Sequence, residues 1–315
     1  MLKKKIAVSL TIFIFTSLSS IFLSSNNLEA GQDTITIGRV SDDPKKHYAK
    51  TKPFIDYIAD NLKHMGIKQG KVLLAKDNHQ MIQYLREAKI DIVTETPFSS
   101  IIYMEKAGAK PLLRRWKKGI PTYSSFIFVR KDSGINSLKE LKGKTIAFED
   151  PGSTTGYFLP KTAIIKEGLE MVELKNYKEK PPLDKVGYCF AQGEVNISHW
   201  VHKGFVEAGT LSNEEYQEPD EVPVGFIADF RIIYETDNVP RNLILVRQDM
   251  DPKLQEEIKS ILLNMKLSEE GRKAMWNLQK TLKFDEFPEG AEEMTRRFKE
   301  KYNLIRKEME KEYPE

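Results

Sequence analysis

Short apolar and β-branched runs alternate with amphipathic runs along most of the chain. Residues 35–40 are typical of a strand, and residues 53–62 repeat apolar positions at a spacing of three and four, which predicts a helix. Residues 77–88 open on a capping aspartate and predict a second helix. Residues 90–96 predict a strand that stops at a proline. Strands that alternate with helices in this way predict α/β layers with mostly parallel strands.

The alternation continues into the second half of the chain. A helix is predicted over residues 98–108, closed by a glycine. A second series of elements begins with a short capped helix at residues 137–144 and a buried strand at residues 145–148, and strand character returns at residues 242–247. Residues 291–315 are so dense in Lys, Arg and Glu that we expect a solvated helix there.

The first thirty residues have the layout of a secretory signal. Three lysines precede an apolar and hydroxyl-rich run over residues 6–23, and a polar segment follows that ends in the small residue Ala30. Residues 1–30 therefore predict a signal peptide cleaved after Ala30, with an uncleaved membrane anchor as the alternative. The segment contains no cysteine, which argues against a lipid-anchored lipoprotein.

Charge and cysteine content exclude several classes of protein. The formal net charge is +3, and part of it belongs to the lysines of the leader, so the remaining chain is close to neutral. Such a chain has no polybasic face for nucleic acid. Cys189 is the only cysteine, so an exported protein of this sequence has no internal disulfide. Its surroundings favour a buried structural thiol over a catalytic nucleophile.

The segment DPGSTTGY, residues 150–157, places three consecutive hydroxyl residues where a strand turns into a helix. The first N–H groups of a helix have no partner within it and carry partial positive charge. Ser153, Thr154 and Thr155 beside such groups would form a neutral cradle for an oxyanion. Ordinary helix capping by one hydroxyl is the alternative. No Gly-Lys-Ser/Thr follows, so the turn is not a nucleotide-hydrolysing P-loop.

A similar turn occurs in the first half of the chain. Residues 94–103 run from a strand through a proline into a helix that starts with Ser99 and Ser100. Open α/β sheets place ligands at the carboxyl ends of their strands. Two hydroxyl-bearing turns, one in each half, therefore predict two facing sides of a ligand cleft that a hinge closes.

At this point the sequence resembles the phosphate-, phosphite- and phosphonate-binding proteins of ABC importers, a group of type II periplasmic binding proteins. The resemblance runs in order through four segments: ITIGRVSDDP, KIDIVTETPFSSIIYMEKAGAKPL, YSSFIFVRKDSGINSLKELKGKTIAFEDPGSTTGYFLP and RIIYETDNVPRNLILVRQDMDP. It implies a type II periplasmic binding protein fold, in which two crossing strands join two α/β lobes around a ligand cleft. Lobe 1 would comprise residues 31–122 and 243–315, and lobe 2 would comprise residues 123–242.

The resemblance also implies roles for single residues. The hydroxyl turn would hold the phosphonate or phosphate oxygens through Ser153 and Thr154, with Thr155 beside them. Tyr123, just before the first crossing strand, would line the site. An acidic residue that holds a ligand amino group falls on Glu214, with its neighbour Glu215 as the alternative.

Three further ligand-binding positions depart from the family pattern. A tyrosine of the first lobe falls on Asn78, and an aspartate after the second crossing falls on Asn242. A histidine that helps to bind the anion falls on Glu194, with His199 or His202 as the alternatives. A carboxylate at position 194 would repel a phosphonate dianion unless one of the two is protonated or the ligand carries a compensating cation.

The sequence therefore predicts an extracytoplasmic, monomeric solute-binding protein with no catalytic residue, no cofactor and no metal. It would capture a small oxyanion by lobe closure and deliver it to an ABC permease. A ligand-sensing partner of a membrane receptor is one alternative, and an exported hydrolase that uses the turn as an oxyanion cradle is another. Arg39, at the end of the first predicted strand, is expected to be an exposed salt-bridging residue, with a position that reaches the cleft as the alternative.

Overall fold

The computed structural model describes residues 33–41 and 43–314. The predicted leader, residues 1–30, lies outside the described residues. Within the described part of the chain, the backbone forms two six-stranded sheets and a separate two-stranded pair. None of the helices in this part combines the length and the apolar character needed to cross a bilayer.

The strands are numbered in chain order. They are β1 (Thr34–Val40), β2 (Gln69–Ala75), β3 (Ile92–Glu95), β4 (Lys110–Lys117), β5 (Thr122–Tyr123), β6 (Ser125–Arg130), β7 (Thr145–Phe148), β8 (Met171–Glu173), β9 (Val186–Phe190), β10 (Ala208–Ser212), β11 (Phe230–Glu235), β12 (Val239–Pro240), β13 (Leu243–Val246) and β14 (Thr281–Asp285).

The α-helices are numbered in the same way. They are α1 (Pro44–Asn61), α2 (Asn78–Arg86), α3 (Pro97–Ala107), α4 (Leu159–Lys166), α5 (Glu194–His202), α6 (Val224–Ile227), α7 (Pro252–Asn264), α8 (Glu269–Asn277), α9 (Ala291–Leu304) and α10 (Arg306–Glu312).

Each six-stranded sheet is the centre of one lobe. The first has the order β14-β4-β13-β3-β1-β2 and draws its strands from residues 34–117 and 243–285. The second has the order β11-β6-β10-β7-β9-β8 and draws its strands from residues 125–235. The chain passes from one lobe to the other twice, and at these crossings β5 pairs antiparallel with β12.

The expectation of mostly parallel strands is met only in part. β1, β2 and β3 are parallel in the first lobe, and β7, β8, β9 and β10 are parallel in the second. The strand that enters each lobe at a crossing runs against this direction, namely β13 in the first lobe and β6 in the second, and β4 and β11 pair antiparallel with them. A strand that enters from the other lobe arrives at the opposite end of the sheet, which explains its reversed direction.

Helix ends follow the capping residues of the sequence. The predicted helix at residues 53–62 begins much earlier, at Pro44, because the Asp43 side chain accepts a hydrogen bond from the Lys46 N–H at 3.1 Å. The first turns of α1 are polar and exposed, so its apolar pattern starts late. The prediction at residues 98–108 is closer, since α3 ends at Gly108, whose φ of 64° is the left-handed conformation of a helix C-cap.

The charged C-terminal tail is not a solvated helix, so that expectation is wrong. Met294, Phe298 and Tyr302 of α9 are each at most 2% exposed. Their spacing of four residues puts them on one face, which the surrounding charges mask in the sequence. This face packs against α3 of the first lobe and α4 of the second, so the tail bridges the two lobes.

Cys189 lies in β9 and is 2% exposed, which confirms the prediction of a buried thiol. Burial raises its pKa to about 11. A thiol with so high a pKa is poorly suited to act as a nucleophile at neutral pH.

Candidate ligand-binding cleft

A cavity of about 680 Å³ lies between the lobes. Its walls come from the loops after β1 and β3 in the first lobe, from both crossings, and from the loops after β7, β9 and β10 in the second lobe. Glu312 and Tyr313 at the end of the tail complete it. The carboxyl ends of parallel strands from both sheets thus meet at one space, as expected for an α/β ligand site.

The hydroxyl turn forms part of the second-lobe wall. Ser153 has extended backbone, and its Oγ accepts a hydrogen bond from the Gly156 N–H at 2.9 Å, so one hydroxyl does act as a helix cap. Thr154 begins a short π-helical turn that leads into α4, and such turns are frequent at functional sites. A side chain at Gly156 would not fit, because its Cβ would lie 2.5 Å from the Cβ of Glu149.

The other two hydroxyls of the turn are placed differently. Thr154 Oγ1 accepts a hydrogen bond at 3.0 Å from the Phe98 N–H, which belongs to the first lobe. Thr155 is 4% exposed and lines the cavity, and its backbone oxygen accepts from Ser125 Oγ at 2.6 Å. No hydrogen bond joins the Thr155 hydroxyl to another residue within 33–41 and 43–314. The turn therefore combines one capping hydroxyl, one that contacts the opposite lobe and one that remains available to a ligand.

The first-lobe side of the cavity starts at the N-terminal ends of α2 and α3. The Nδ2 of Asn78 donates to Ser99 Oγ at 3.3 Å and to the Tyr313 hydroxyl at 3.4 Å. Its Oδ1 accepts from the Tyr103 hydroxyl at 2.5 Å. Asn78 and Ser99, both predicted from the sequence, thus lie together in the cavity wall with a tyrosine contributed by the tail.

The expectation of an exposed Arg39 is wrong, and the alternative, a position at the cleft, is correct. Arg39 is only 8% exposed and lines the cavity, because it is the penultimate residue of β1, whose carboxyl end faces the cleft. Lys117 at the end of β4 and Arg241 after β12 line the same cavity. Burial, followed by the charges of Arg241 and Arg115, lowers the pKa of Lys117 to about 7. The first lobe and the crossings therefore form a cationic wall, which we define as Arg39, Lys117 and Arg241.

Asn242, adjacent to the cationic wall, has a fixed orientation. Its Oδ1 accepts hydrogen bonds from Thr94 Oγ1 at 2.7 Å and from Arg115 Nε at 2.8 Å. Since the carbonyl side of the amide is occupied in this way, the Nδ2 hydrogens are the group left for the cavity. Arg115 itself is fully buried, and its other nitrogens donate to residues of the loop before β14.

Carboxyl groups concentrate on the second-lobe wall. Glu149 directly follows β7, and burial together with the charge of Glu194 raises its pKa to about 9. A pKa raised above neutrality favours the protonated form of the Glu149 carboxyl group at pH 7. Glu194 lies in the cavity wall, whereas His199 and His202 are not among its lining residues. Of the three residues considered for the family histidine, the cavity wall therefore contains Glu194 and neither of the two histidines.

The remaining predicted residues lie at the crossings and after β10. Tyr123 is buried in the cavity wall, and the Arg241 guanidinium sits 4.4 Å from the centre of its ring. Burial raises the pKa of the Tyr123 hydroxyl to about 12. Of the two acidic residues named from the sequence to hold a ligand amino group, Glu215, the alternative, lines the wall. Glu214 lies behind it and pairs with Arg241 at 3.2 Å.

Sequence reasoning missed Lys117, Arg241, Glu149 and the tail, and it named the cleft only as the alternative position for Arg39. Arg39 and Glu149 lie at the carboxyl end of a strand that faces the cleft, and that position was the available signal. The sequence gives no comparable signal for Lys117 and Arg241. Each lies at one of the two crossings, and the other crossing is more than a hundred residues away in the chain. Among the described residues, no three His, Cys, Asp or Glu side chains are grouped closely enough to hold a metal ion.

Comparison with known proteins agrees with this geometry. The sequence model of the periplasmic substrate-binding proteins of phosphonate ABC transporters matches residues 38–290. The chain belongs to this family. The family model ends before α9, so the tail that closes one side of the cavity lies outside the matched residues. Membership confirms the predicted class, a periplasmic solute-binding protein of an ABC importer, and the predicted type II fold.

Individual relatives are distant. The phosphate-import protein PhnD of Mycolicibacterium smegmatis is 22% identical over 75% of this chain and 73% of its own. A Xanthomonas citri protein bound to chloride is 30% identical with a TM-score of 0.81, covering 88% of this chain and 99% of its own, and a second structure of it is bound to ATP. A Prochlorococcus marinus protein in complex with methylphosphonate shares the fold at 16% identity and a TM-score of 0.61, covering 87% and 99% of the two chains.

Proposed function

We propose that this protein captures a small phosphorus oxyanion, of the phosphonate, phosphite or phosphate class, by closing its two lobes, and delivers it to an ABC importer. The observation that carries the proposal is the hydroxyl turn. Thr154 contacts the Phe98 N–H across the cleft while the neighbouring Thr155 hydroxyl lines the cavity. Ser153, Thr154 and Thr155 thus lie where a ligand would touch both lobes.

Closure follows from contacts that exist only when the lobes meet. A ligand held by the turn and by the first lobe at Asn78 and Ser99 binds the closed arrangement better than an open one, so it shifts the equilibrium towards closure. Hydrogen bonds from hydroxyl and N–H groups to a charged oxygen contribute about 1.5–3 kcal/mol each. The phosphorylated ligand bound to the Xanthomonas citri relative supports a site for phosphoryl oxygens.

The carboxyl groups beside the turn are compatible with an anion because Glu149 is protonated. A neutral carboxylic acid in a buried site can donate a hydrogen bond to an oxyanion, whereas a carboxylate would repel it. Glu194 and Glu215 would accept from a ligand hydroxyl or amino group. The wall of the second lobe therefore suits an oxyanion that also carries a donor.

The finer features of the function belong to the same proposal. Residues 1–30 direct export and are either cleaved after Ala30 or retained as an anchor. The protein acts as a monomer, without catalysis and without nucleic acid. Lobe 1 comprises residues 31–122 and 243–315, and lobe 2 comprises residues 123–242; the strand membership of the two sheets supports this division.

A thermal-shift screen tests the proposal. The purified protein is heated with phosphate, phosphite, methylphosphonate, 2-aminoethylphosphonate, sulfate or acetate over a range of concentrations. At a hundredfold excess over the dissociation constant, a ligand should raise Tm by roughly 5–10 °C. The expected result is a concentration-dependent rise with at least one phosphorus oxyanion and none with acetate. Equal shifts for all six anions, or none, would contradict the proposal.

A further inference from the structure

The cationic wall is built from residues far apart in the chain. Arg39 is the penultimate residue of β1, Lys117 ends β4 and Arg241 follows β12, yet all three line one cavity. Arg39 and Arg241 are 8% and 6% exposed. Grouping two buried cations with a half-buried one is unfavourable unless something with negative charge faces them.

Carboxyl groups compensate this wall only in part. Glu214 pairs with Arg241, and Glu95 lies near Arg39, whose charge opposes the rise in pKa that burial causes at Glu95. Glu215 attracts Lys117 from a distance. No salt bridge or hydrogen bond joins the Lys117 ammonium to any other residue that the structure describes. Lys117 is therefore the cation of the wall that has no direct partner of its own.

Asn242 adds neutral donors at the same place. It is 3% exposed and lines the cavity, and its Oδ1 is held by Thr94 and Arg115. Within the described residues, no acceptor lies within hydrogen-bond distance of its Nδ2. A buried amide whose N–H groups face a cavity beside a lysine is a built donor set for an anionic oxygen.

The cavity is also too large for a simple oxyanion. One water molecule occupies about 30 Å³ in the liquid, so the cavity of about 680 Å³ has room for roughly twenty groups of that size. Methylphosphonate has only five non-hydrogen atoms. A ligand that fills the space between the hydroxyl turn and the cationic wall must therefore extend beyond its phosphorus group.

We propose that Arg39, Lys117 and Arg241, together with the Asn242 amide, form a second anion subsite, and that the natural ligand carries two anionic groups on one small molecule. This inference rests on the proposed function, because it assigns one of the two groups to the hydroxyl turn. The second group, a carboxylate or a further phosphoryl group, contacts the cationic wall and supplies Lys117 with its missing partner.

Calorimetric titration at pH 6.5, which is below the lowered pKa of Lys117, tests this inference with two matched ligand types. Methylphosphonate carries one anionic group, whereas phosphonoacetate and 3-phosphonopropionate each carry two. We expect at least one of the doubly anionic ligands to bind about tenfold more tightly than methylphosphonate, which corresponds to one charge-assisted contact. In Lys117→Met this ratio of affinities should fall by about tenfold, and Lys117→Arg should restore most of it.

Lys118→Met is the matched control. Lys118 is exposed, and its substitution removes the same charge one residue away from Lys117. Its ratio should equal that of the wild type. A ratio near one in the wild type, or a ratio that Lys117→Met leaves unchanged while the variant stays folded, overturns the second subsite but leaves the proposed function standing. If none of the three ligands binds while phosphate or phosphite does, the second subsite is overturned and the proposed function stands; if phosphate and phosphite fail as well, both are overturned.

Discussion

The two walls of the cavity are built in opposite ways. The hydroxyl turn is one continuous segment of the second lobe, and its hydrogen bonds largely connect residues that are neighbours in the chain. The cationic wall assembles Arg39, Lys117 and Arg241 from three distant elements, and the buried carboxylate of Glu214 holds Arg241 in place. A continuous turn can be read from sequence and tolerates substitution, whereas a discontinuous charged wall depends on the topology and is costly to disturb.

The largest expected difference between the walls concerns stability at Arg241. The side chains of Arg241 and Glu214 are 8% and 14% exposed and pair at 3.2 Å. Arg241→Met leaves the buried Glu214 carboxylate without its partner, which should lower the free energy of unfolding by about 3–5 kcal/mol. Urea denaturation measures this, and Glu214→Gln added to the same variant should recover part of the loss. A loss below about 1 kcal/mol would show that the cationic wall does not depend on this pair.

Glu149 gives a pH-dependent prediction for the opposite wall. Its pKa is raised to about 9, so between the pKa of the unfolded chain and pH 9 the folded state binds the extra proton. Stability from this group therefore falls as pH rises through that window. Glu149→Gln cannot ionise, so its stability relative to the wild type should grow by a few kcal/mol from pH 5 to pH 9. Chemical denaturation at several pH values measures the difference.

Glu167→Gln, an exposed change in the same lobe, is the control for that profile and should show no such trend. A difference between Glu149→Gln and the wild type that stays constant across the window would contradict the protonated state assigned to Glu149. The compatibility of the second-lobe wall with a bound anion would then need another explanation.

The C-terminal tail contacts both lobes, so its docking gives a further test of the comparison between the two walls. Lys161 of α4 is fully buried and forms an ion pair with Glu308 of α10. Glu308→Gln leaves a buried ammonium with only tyrosine hydroxyls as partners, so the free energy of unfolding should fall by about 2 kcal/mol. Differential scanning calorimetry should show a lower Tm. Glu310→Gln, an exposed change in the same helix, should have almost no effect, and equal effects of the two variants would argue against a docked tail.

The smallest expected effect lies in the hydroxyl turn. Ser153→Ala removes one helix cap, which should cost about 1 kcal/mol and leave the fold intact. Its urea-denaturation midpoint should fall by much less than that of Arg241→Met. If Ser153→Ala were the more destabilising of the two, the contrast between a tolerant turn and a costly wall would be reversed.

The hydroxyl turn and the cationic wall also differ in how much of each the sequence predicts. The turn, Ser99 and the helix end at Gly108 depend on short-range chemistry, so residue types and spacing predicted them. The resemblance placed Asn78, Glu194 and Asn242 at the cavity, but only the structure shows that the Asn242 amide is turned by Arg115.

Two features could not be predicted for a common physical reason. The buried face of α9 is masked by charged neighbours, and it is apolar only because two lobes cover it. The site of Lys117 likewise exists only after the chain has crossed twice between lobes. Sequence patterns report local burial, and they do not report which distant surfaces meet. The Tyr313 hydroxyl, 3.4 Å from Asn78, is a ligand-site group that arises in this way.

The central claim is that the hydroxyl turn binds the anionic ligand, and Thr155→Val tests this claim most directly. This change removes only the hydroxyl that lines the cavity without a hydrogen bond to another described residue. Calorimetric titration with methylphosphonate, or with whichever oxyanion the thermal-shift screen selects, should show an affinity at least about tenfold weaker than that of the wild type. Thr162→Val, a buried change in α4 outside the cavity, should bind like the wild type. Equal affinities in Thr155→Val and the wild type would contradict the account.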